Sequence, residues 1–116
     1  MAQLDQVAAE HLAAARSSPN GRSAELLVHD GVLRQSVLAL TSGTQLAEHN
    51  SPHAASLQVL VGTVEVTGFD TSEPLHAGEL SVLTHARHSV TALEDAVFLL
   101  TTVTGVPQDG PPERAR

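Results

Sequence analysis

Several residue types with distinctive chemistry are absent from this sequence of 116 residues. It has no cysteine, which excludes disulfides, a thiolate nucleophile and sulfur ligands, so any metal would be held by His, Asp, Glu or water. All six basic residues are arginine, and the absence of lysine excludes Schiff-base chemistry and a P-loop lysine. Tryptophan and tyrosine are absent too, and the only aromatic residues are Phe69 and Phe98. A platform for stacking flavins or nucleobases is therefore not expected, and any pocket should be aliphatic.

Positive charge and long apolar runs are also scarce. The 6 basic residues stand against 13 acidic ones, a formal net charge of −7, whereas nucleic-acid binding depends on clustered Lys and Arg. No stretch approaches the ~18 apolar residues of a membrane span, and residues 1–16 lack the basic start and apolar run of a signal peptide. We therefore expect a cytoplasmic protein with no nucleic-acid or membrane partner.

The length and the spacing of apolar residues predict one small domain of mainly β structure. Residues 4–16 place apolar side chains at helical spacing, which predicts an amphipathic helix that ends before the Asn20-Gly21 turn. Eight short runs of β-forming residues follow, a number and spacing typical of a sandwich or barrel; they cover residues 25–29, 32–40, 45–49, 56–61, 63–67, 80–83, 89–93 and 96–103. We predict a helix and turn in residues 1–20, a barrel in residues 21–105 and a disordered tail in residues 106–116.

Two glycine-bounded segments carry histidines near the ends of predicted strands. The first covers residues 43–62 and contains His49 and His53, and the second covers residues 78–88 and ends in a histidine. Short β-segments of this kind can bring imidazoles together inside a small barrel, where they commonly hold a divalent metal. His11 has no such partner in the sequence and is expected at the surface.

These two segments resemble the two motifs of the cupin family. Gly43, His49 and Gly62 match the first motif, and Gly78 and His88 match the second. The resemblance spans roughly residues 32–103. It implies an all-β fold, the cupin double-stranded β-helix or jelly-roll barrel, with one short N-terminal α-helix added in this chain.

The same resemblance leaves the metal-ligand set incomplete. The second histidine of the first motif falls on Ser51, and its glutamate falls on Ala55. If the motifs align as described, His49 and His88 point into the barrel, but a catalytic metal site normally has three protein ligands. The third would come from His53, which follows a Ser-Pro turn, or from His85, Glu48 or Gln58. Iron, manganese, nickel or zinc would suit such a site; the alternative is a metal-free cavity with hydrogen-bonded histidines.

Arg34 and Gln35 supply a further candidate site. They are neighbours on a predicted strand, so alternation places one of them on the interior face. An inward Arg34 would anchor an anionic ligand, and Gln58 would be a second polar group of that pocket. The alternatives are that Gln35 faces inward, or that Arg34 pairs with a carboxylate outside, at Glu48 or Glu65.

Three functions are compatible with these residues. The first is a small-molecule enzyme in which His49, His53 and His88 hold a divalent metal that supplies Lewis-acid or O₂ chemistry. The second is a metal-free binding or sensor module whose cavity takes a small apolar or weakly acidic molecule. The third is a structural dimer joined through Leu- and Val-rich strand faces, and a homodimer is expected with either of the other two. A small-molecule ligand is the expected partner, and the sequence leaves open whether the protein is an enzyme.

Overall fold

A computed structural model of the chain describes residues 1–49, 54–68, 71–83 and 88–104. In these ranges the backbone forms one helix and nine strands. Their bounds are α1 (Leu4–Ser17), β1 (Arg22–Asp30), β2 (Leu33–Leu40), β3 (Gln45–His49), β4 (Ala54–Val61), β5 (Thr63–Thr67), β6 (Ser72–His76), β7 (Leu80–Leu83), β8 (His88–Ala92) and β9 (Ala96–Val103). One antiparallel sheet has the order β1-β2-β9-β4-β7, and the other has the order β3-β8-β5-β6.

The mainly β architecture with one N-terminal helix confirms the predicted fold class. All of the predicted strands are present, but β6 is absent from the prediction. Its central Pro74 has no backbone N–H and interrupts the usual sequence pattern of a strand. Sheets tolerate proline at their edges. β6 is indeed an edge strand, next to β5 only. The predicted tail, residues 106–116, lies outside the described residues.

The main core lies between the two sheets. On β4 the buried Leu57 and Val59 alternate with less buried neighbours, and Val59 is the register partner of Phe98 on β9. The four-stranded sheet contributes Val64 and Val90 to the same cluster. Phe98 is fully buried, and as the largest side chain of this core it fills the space that aromatic-poor strands leave between the sheets.

Helix α1 covers the outer face of the five-stranded sheet. The small residues Ala8 and Ala15 are buried against Val37, Ala39 and Val97, which forms a second apolar cluster. Because alanine leaves little distance between helix and sheet, this packing is close.

His11 lies between α1 and β1, so the prediction that it is a surface residue is wrong. Its side chain is half-buried, with Nδ1 2.7 Å from the Ser23 hydroxyl and Nε2 2.8 Å from a carboxylate oxygen of Glu25. Both partners come from the strand on which the helix packs, a contact that local sequence does not reveal.

Tight turns close one end of the barrel, which we call the closed end. The backbone N–H of Gly43 donates to the carbonyl of Ala92 at 2.8 Å, and that of Leu93 donates to the carbonyl of Thr63 at 3.0 Å. These bonds tie the β2–β3 turn, the start of β5 and the β8–β9 turn together. The closed end is therefore held by backbone hydrogen bonds among the turns at this end of the four-stranded sheet.

Asp95 adds side-chain bonds at the closed end. One carboxylate oxygen accepts from the backbone N–H of Ser42 at 2.8 Å, and the other accepts from Nε of Arg16 at 2.8 Å. These two hydrogen bonds, the Ser42 N–H first, lower the pKa of Asp95. A single carboxylate thus connects the β8–β9 turn both to the β2–β3 turn and to the end of α1.

The opposite end of the barrel, which we call the mouth, begins at the edge of the main core, to which Ala55 and Leu83 still belong. On the five-stranded sheet one register row there contains Arg34, Thr102, Ala55 and Leu83, in order across the strands. On the four-stranded sheet His88 begins β8 at the same end. Polar side chains are more frequent in this layer than in the core below it.

Candidate ligand cavity at the barrel mouth

A cavity of about 400 Å³ opens between the two sheets at the mouth. Its walls come from β5, β6, β7 and β8 and from the residues that flank them. The lining residues are Val66, Gly68, Thr71, Ser72, Glu73, Ser81, Val82, Leu83 and His88. The lining thus combines the aliphatic side chains that the aromatic-poor composition predicts with a carboxylate, hydroxyls and an imidazole.

His88 lies in the wall of this cavity. It has the same parity along β8 as the core residues Val90 and Ala92, so it belongs to the interior face of the sheet. Its residue surface is only 4% exposed. A buried imidazole can both donate and accept a hydrogen bond, which makes His88 a suitable polar contact for a bound molecule.

The backbone of His49 is registered opposite His88. The two residues are Cα partners in the β3–β8 ladder, with an irregularity of register between Leu46 and His49. The other predicted ligand, His53, lies outside the described residues. Within the described ranges, no group of three or more histidine, aspartate or glutamate side chains is placed to hold a metal ion. The set of His49, His53 and His88 therefore stays a prediction.

Arg34 and Gln35 take opposite faces of β2. Gln35 lies on the helix side of the sheet, where its Nε2 donates to the hydroxyl of Thr101 at 3.0 Å. Arg34 shares the interior parity of Leu38 and Leu40, but it is exposed and does not line the cavity. The sequence leaves open whether Arg34 or Gln35 faces the interior. In the structure Arg34 has the inward position, at the rim of the mouth.

Gln58 lies on the other side of its sheet. It alternates with the buried core residues Leu57 and Val59 on β4 and has the same parity as Leu60, which packs on the helix-side cluster. Gln58 is not part of the cavity lining. Its predicted pocket role has no counterpart in the cavity described here.

Glu73 is a cavity residue that sequence reasoning missed. It is the register partner of Val66 and precedes the buried Leu75 by two residues, so it faces the interior. Its side chain is solvent-exposed at the opening of the cavity. The placement of Glu73 and Leu75 two residues apart is compatible with one face of a strand. Pro74 between them argues against a strand, so the sequence does not predict β6.

The carboxylates with displaced pKa values lie away from the cavity. At the β6–β7 turn the backbone N–H of His76 donates to Glu79 at 2.7 Å, and the imidazole Nδ1 lies 3.0 Å from the same oxygen. These bonds lower the pKa of Glu79, as the bonds described above do for Asp95. Both groups are at the closed end and stabilise turns, so neither is a candidate for ligand binding.

Solved structures share this arrangement of strands. A conserved protein of unknown function from Streptococcus pyogenes superposes with a TM-score of 0.70 at 24% identity, over 78% of this chain and 80% of that chain. A cupin superfamily protein from Desulfitobacterium hafniense superposes with a TM-score of 0.68 at 15% identity, over 72% of this chain and 77% of that chain. This chain has the cupin fold.

The cupin likeness extends to a larger enzyme. Salicylate 1,2-dioxygenase from Pseudoaminobacter salicylatoxidans, solved as adducts with gentisate, gives a TM-score of 0.70 at 19% identity over 86% of this chain and 31% of that chain. Sequence identities of this size establish a shared fold and not a shared function. The predicted cupin barrel is therefore confirmed as a fold. No family model and no curated protein matches the sequence. Among the described residues no helix has the length and apolarity needed to cross a membrane.

Proposed function

We propose that this cupin binds a small organic molecule in the cavity at its mouth. The observation that carries the proposal is the cavity of about 400 Å³ with a buried histidine in its wall. Small-molecule sites commonly enclose about 300–1,000 Å³ and combine apolar walls with a few polar groups. Val66 and Leu83 supply the apolar part here, and His88 and the Ser81 hydroxyl supply groups that orient a ligand. Binding, rather than a named reaction, is the proposed activity.

A thermal-shift screen of small metabolites tests this proposal, because a ligand that binds only the folded protein raises its melting temperature. Ser81→Leu narrows the cavity from β7. Ser56→Leu is the matched control, because Ser56 is on the outward parity of the neighbouring β4. We expect some compounds to raise the melting temperature of the unaltered protein and of Ser56→Leu. The same compounds should not raise that of Ser81→Leu. A broad library with no stabilising compound, or an equal shift in both variants, would contradict the proposal.

A second candidate function is a metal centre within the same mouth, formed by His49, His53 and His88. The backbone pairing of His49 with His88 on adjacent strands supports it, and a nitrogen-rich donor set suits iron, manganese, nickel or zinc. A bound divalent metal would act as a Lewis acid toward a ligand in the cavity. Glu73 is not included, because β5 separates β6 from β8 and the two outer strands of such a trio lie about 10 Å apart.

Metal analysis after incubation with Fe(II), Mn(II), Ni(II) or Zn(II) tests the metal centre. His49→Ala and His88→Ala remove proposed ligands, whereas His76→Ala removes an exposed histidine that pairs with Glu79 at the closed end. We expect about one metal ion per chain in the unaltered protein and in His76→Ala, and much less in the other two variants. An unaltered protein that retains less than about a tenth of an equivalent would rule the site out.

We also propose that the protein is a cytoplasmic homodimer joined through the outer face of β7. Leu80 and Val82 are 64% and 78% exposed there, and apolar side chains on an edge strand are typical of an association surface. Sedimentation analysis tests the dimer. Leu80→Glu, which leaves the cavity lining unchanged, should give monomers, whereas Leu26→Glu, on the opposite edge strand β1, should not. A monomeric unaltered protein would refute the proposal.

A further inference from the structure

The charge of the cavity points to a ligand class, an inference that rests on the small-molecule site proposed above. Among the described lining residues, Glu73 is the only carboxylate, His88 is the only other titratable side chain, and no arginine is included. Arg34, the predicted anchor for an anion, is at the rim on the opposite sheet and outside this lining. The chain as a whole has a formal net charge of −7. An anionic ligand would therefore meet like charge, both in the cavity and over the protein surface.

Among the described residues, none donates a hydrogen bond to the Glu73 carboxylate, which lies at the opening of the cavity. The backbone of Glu73 is fixed by the β5–β6 ladder opposite Val66, and its side chain is on the interior parity at the opening. A molecule that enters past it would bring one end to the carboxylate and the other toward Val66 and Leu83. A positively charged end would compensate the carboxylate as water leaves the opening, whereas an apolar or anionic end would leave it unpaired.

We propose that the ligand of this cavity is a small aliphatic amine whose ammonium group pairs with Glu73 and whose hydrocarbon part lies against Val66 and Leu83. The described lining residues include one carboxylate and no Phe, Tyr or Trp, so we assign selection of the cation to its ion pair with Glu73. Selectivity among molecules of equal length should therefore follow the charge of their polar end.

Three five-carbon probes test this proposal: pentylammonium chloride, 1-pentanol and sodium pentanoate. Each is titrated into the full chain, previously dialysed against EDTA and then against buffer, and binding is followed through the backbone amide NMR signals of Gly68 and Ser81. We expect pentylammonium to bind about fivefold more tightly than pentanol, the size of effect that a partly exposed ion pair gives. Pentanoate should bind most weakly, and added salt should weaken only the ammonium probe relative to pentanol.

Two isosteric variants separate the role of Glu73 from a general charge effect. Glu73→Gln removes the cavity carboxylate, and Glu65→Gln removes one from the outward parity of the neighbouring β5. The preference for pentylammonium should disappear in Glu73→Gln and persist in Glu65→Gln. Equal binding of the three probes, tighter binding of pentanoate, no binding of any probe, or an unchanged preference in Glu73→Gln would overturn the amine proposal. The existence of the binding cavity is decided separately by the comparison of Ser81→Leu with Ser56→Leu.

Discussion

The two ends of this cupin barrel use polar groups in different ways. At the closed end the Asp95 carboxylate accepts one hydrogen bond from a backbone N–H and one from an arginine, and the turns donate to each other's carbonyls. At the mouth, Glu73 and His88 are directed into a cavity. The difference suggests that closed-end polar groups mainly stabilise the fold, while those at the mouth can change at little cost to stability. Three substitutions test this division, taken from the largest expected effect to the smallest.

The largest effect is expected at Gly62, in the closed end. Its φ is +76°, and a Cβ added there would collide with the Asp95 carbonyl oxygen and lie 3.0 Å from Cα of Ala96. Gly62→Ala should lower the free energy of unfolding by about 3 kcal/mol, from backbone strain and overpacking together. Gly31→Ala is the control, because Gly31 also has a positive φ, +59°, but an added Cβ meets nothing within 4 Å; it should cost about 1 kcal/mol. Urea denaturation measures both, and equal losses would show that packing against the Asp95 turn contributes nothing.

A smaller effect, dependent on pH, is expected from Asp95. Its pKa is lowered in the folded state, so its bonds contribute stability above the unfolded-state pKa, about 3.9, and that contribution is lost as pH falls through the lower folded value. Melting temperatures recorded from neutral pH down through this range should fall less steeply for Asp95→Asn than for the unaltered protein. Arg16→Gln should keep most of the dependence, because the Ser42 N–H is the larger cause of the shift. Identical pH profiles for Asp95→Asn and the unaltered protein would contradict this assignment.

The smallest effect is expected at the mouth. Glu73 is exposed and holds no closed-end turn, so Glu73→Gln should change the free energy of unfolding by less than about 0.5 kcal/mol. Urea denaturation alongside Gly62→Ala provides the comparison. A loss of stability as large as that of Gly62→Ala would mean that the mouth contributes to folding as much as the closed end does.

The sequence predicts most of the fold because strand and turn signals are local. Glycines and the Asp30-Gly31 turn mark the strand ends, and the observed β1–β2 hairpin agrees with them. β6 is the exception, since Pro74 removes a strand signal although the edge position tolerates it. Short sequence patterns thus predict where strands and turns lie. They do not predict which strands pair, because the paired residues are far apart in the sequence.

The candidate site is less predictable, because it depends on which face each strand turns inward. On β2 both parities are apolar near the closed end, Leu38 and Leu40 on one and Val37 and Ala39 on the other. Alternation therefore places Arg34 and Gln35 on opposite faces of β2 without showing which face is the interior. The position of α1, which covers the face of Gln35, identifies it. His88 could be selected from its motif, but Glu73 required knowledge of a strand that the sequence concealed.

The contact between α1 and β1 through His11 fixes the orientation of one side chain at two points. The tautomer that carries its hydrogen on Nε2 donates to Glu25, and Nδ1 accepts from the hydroxyl of Ser23. Because both ring nitrogens are bonded to residues of β1, the imidazole cannot rotate without losing a hydrogen bond. A single side chain of the helix therefore sets the position of α1 along the strand beneath it.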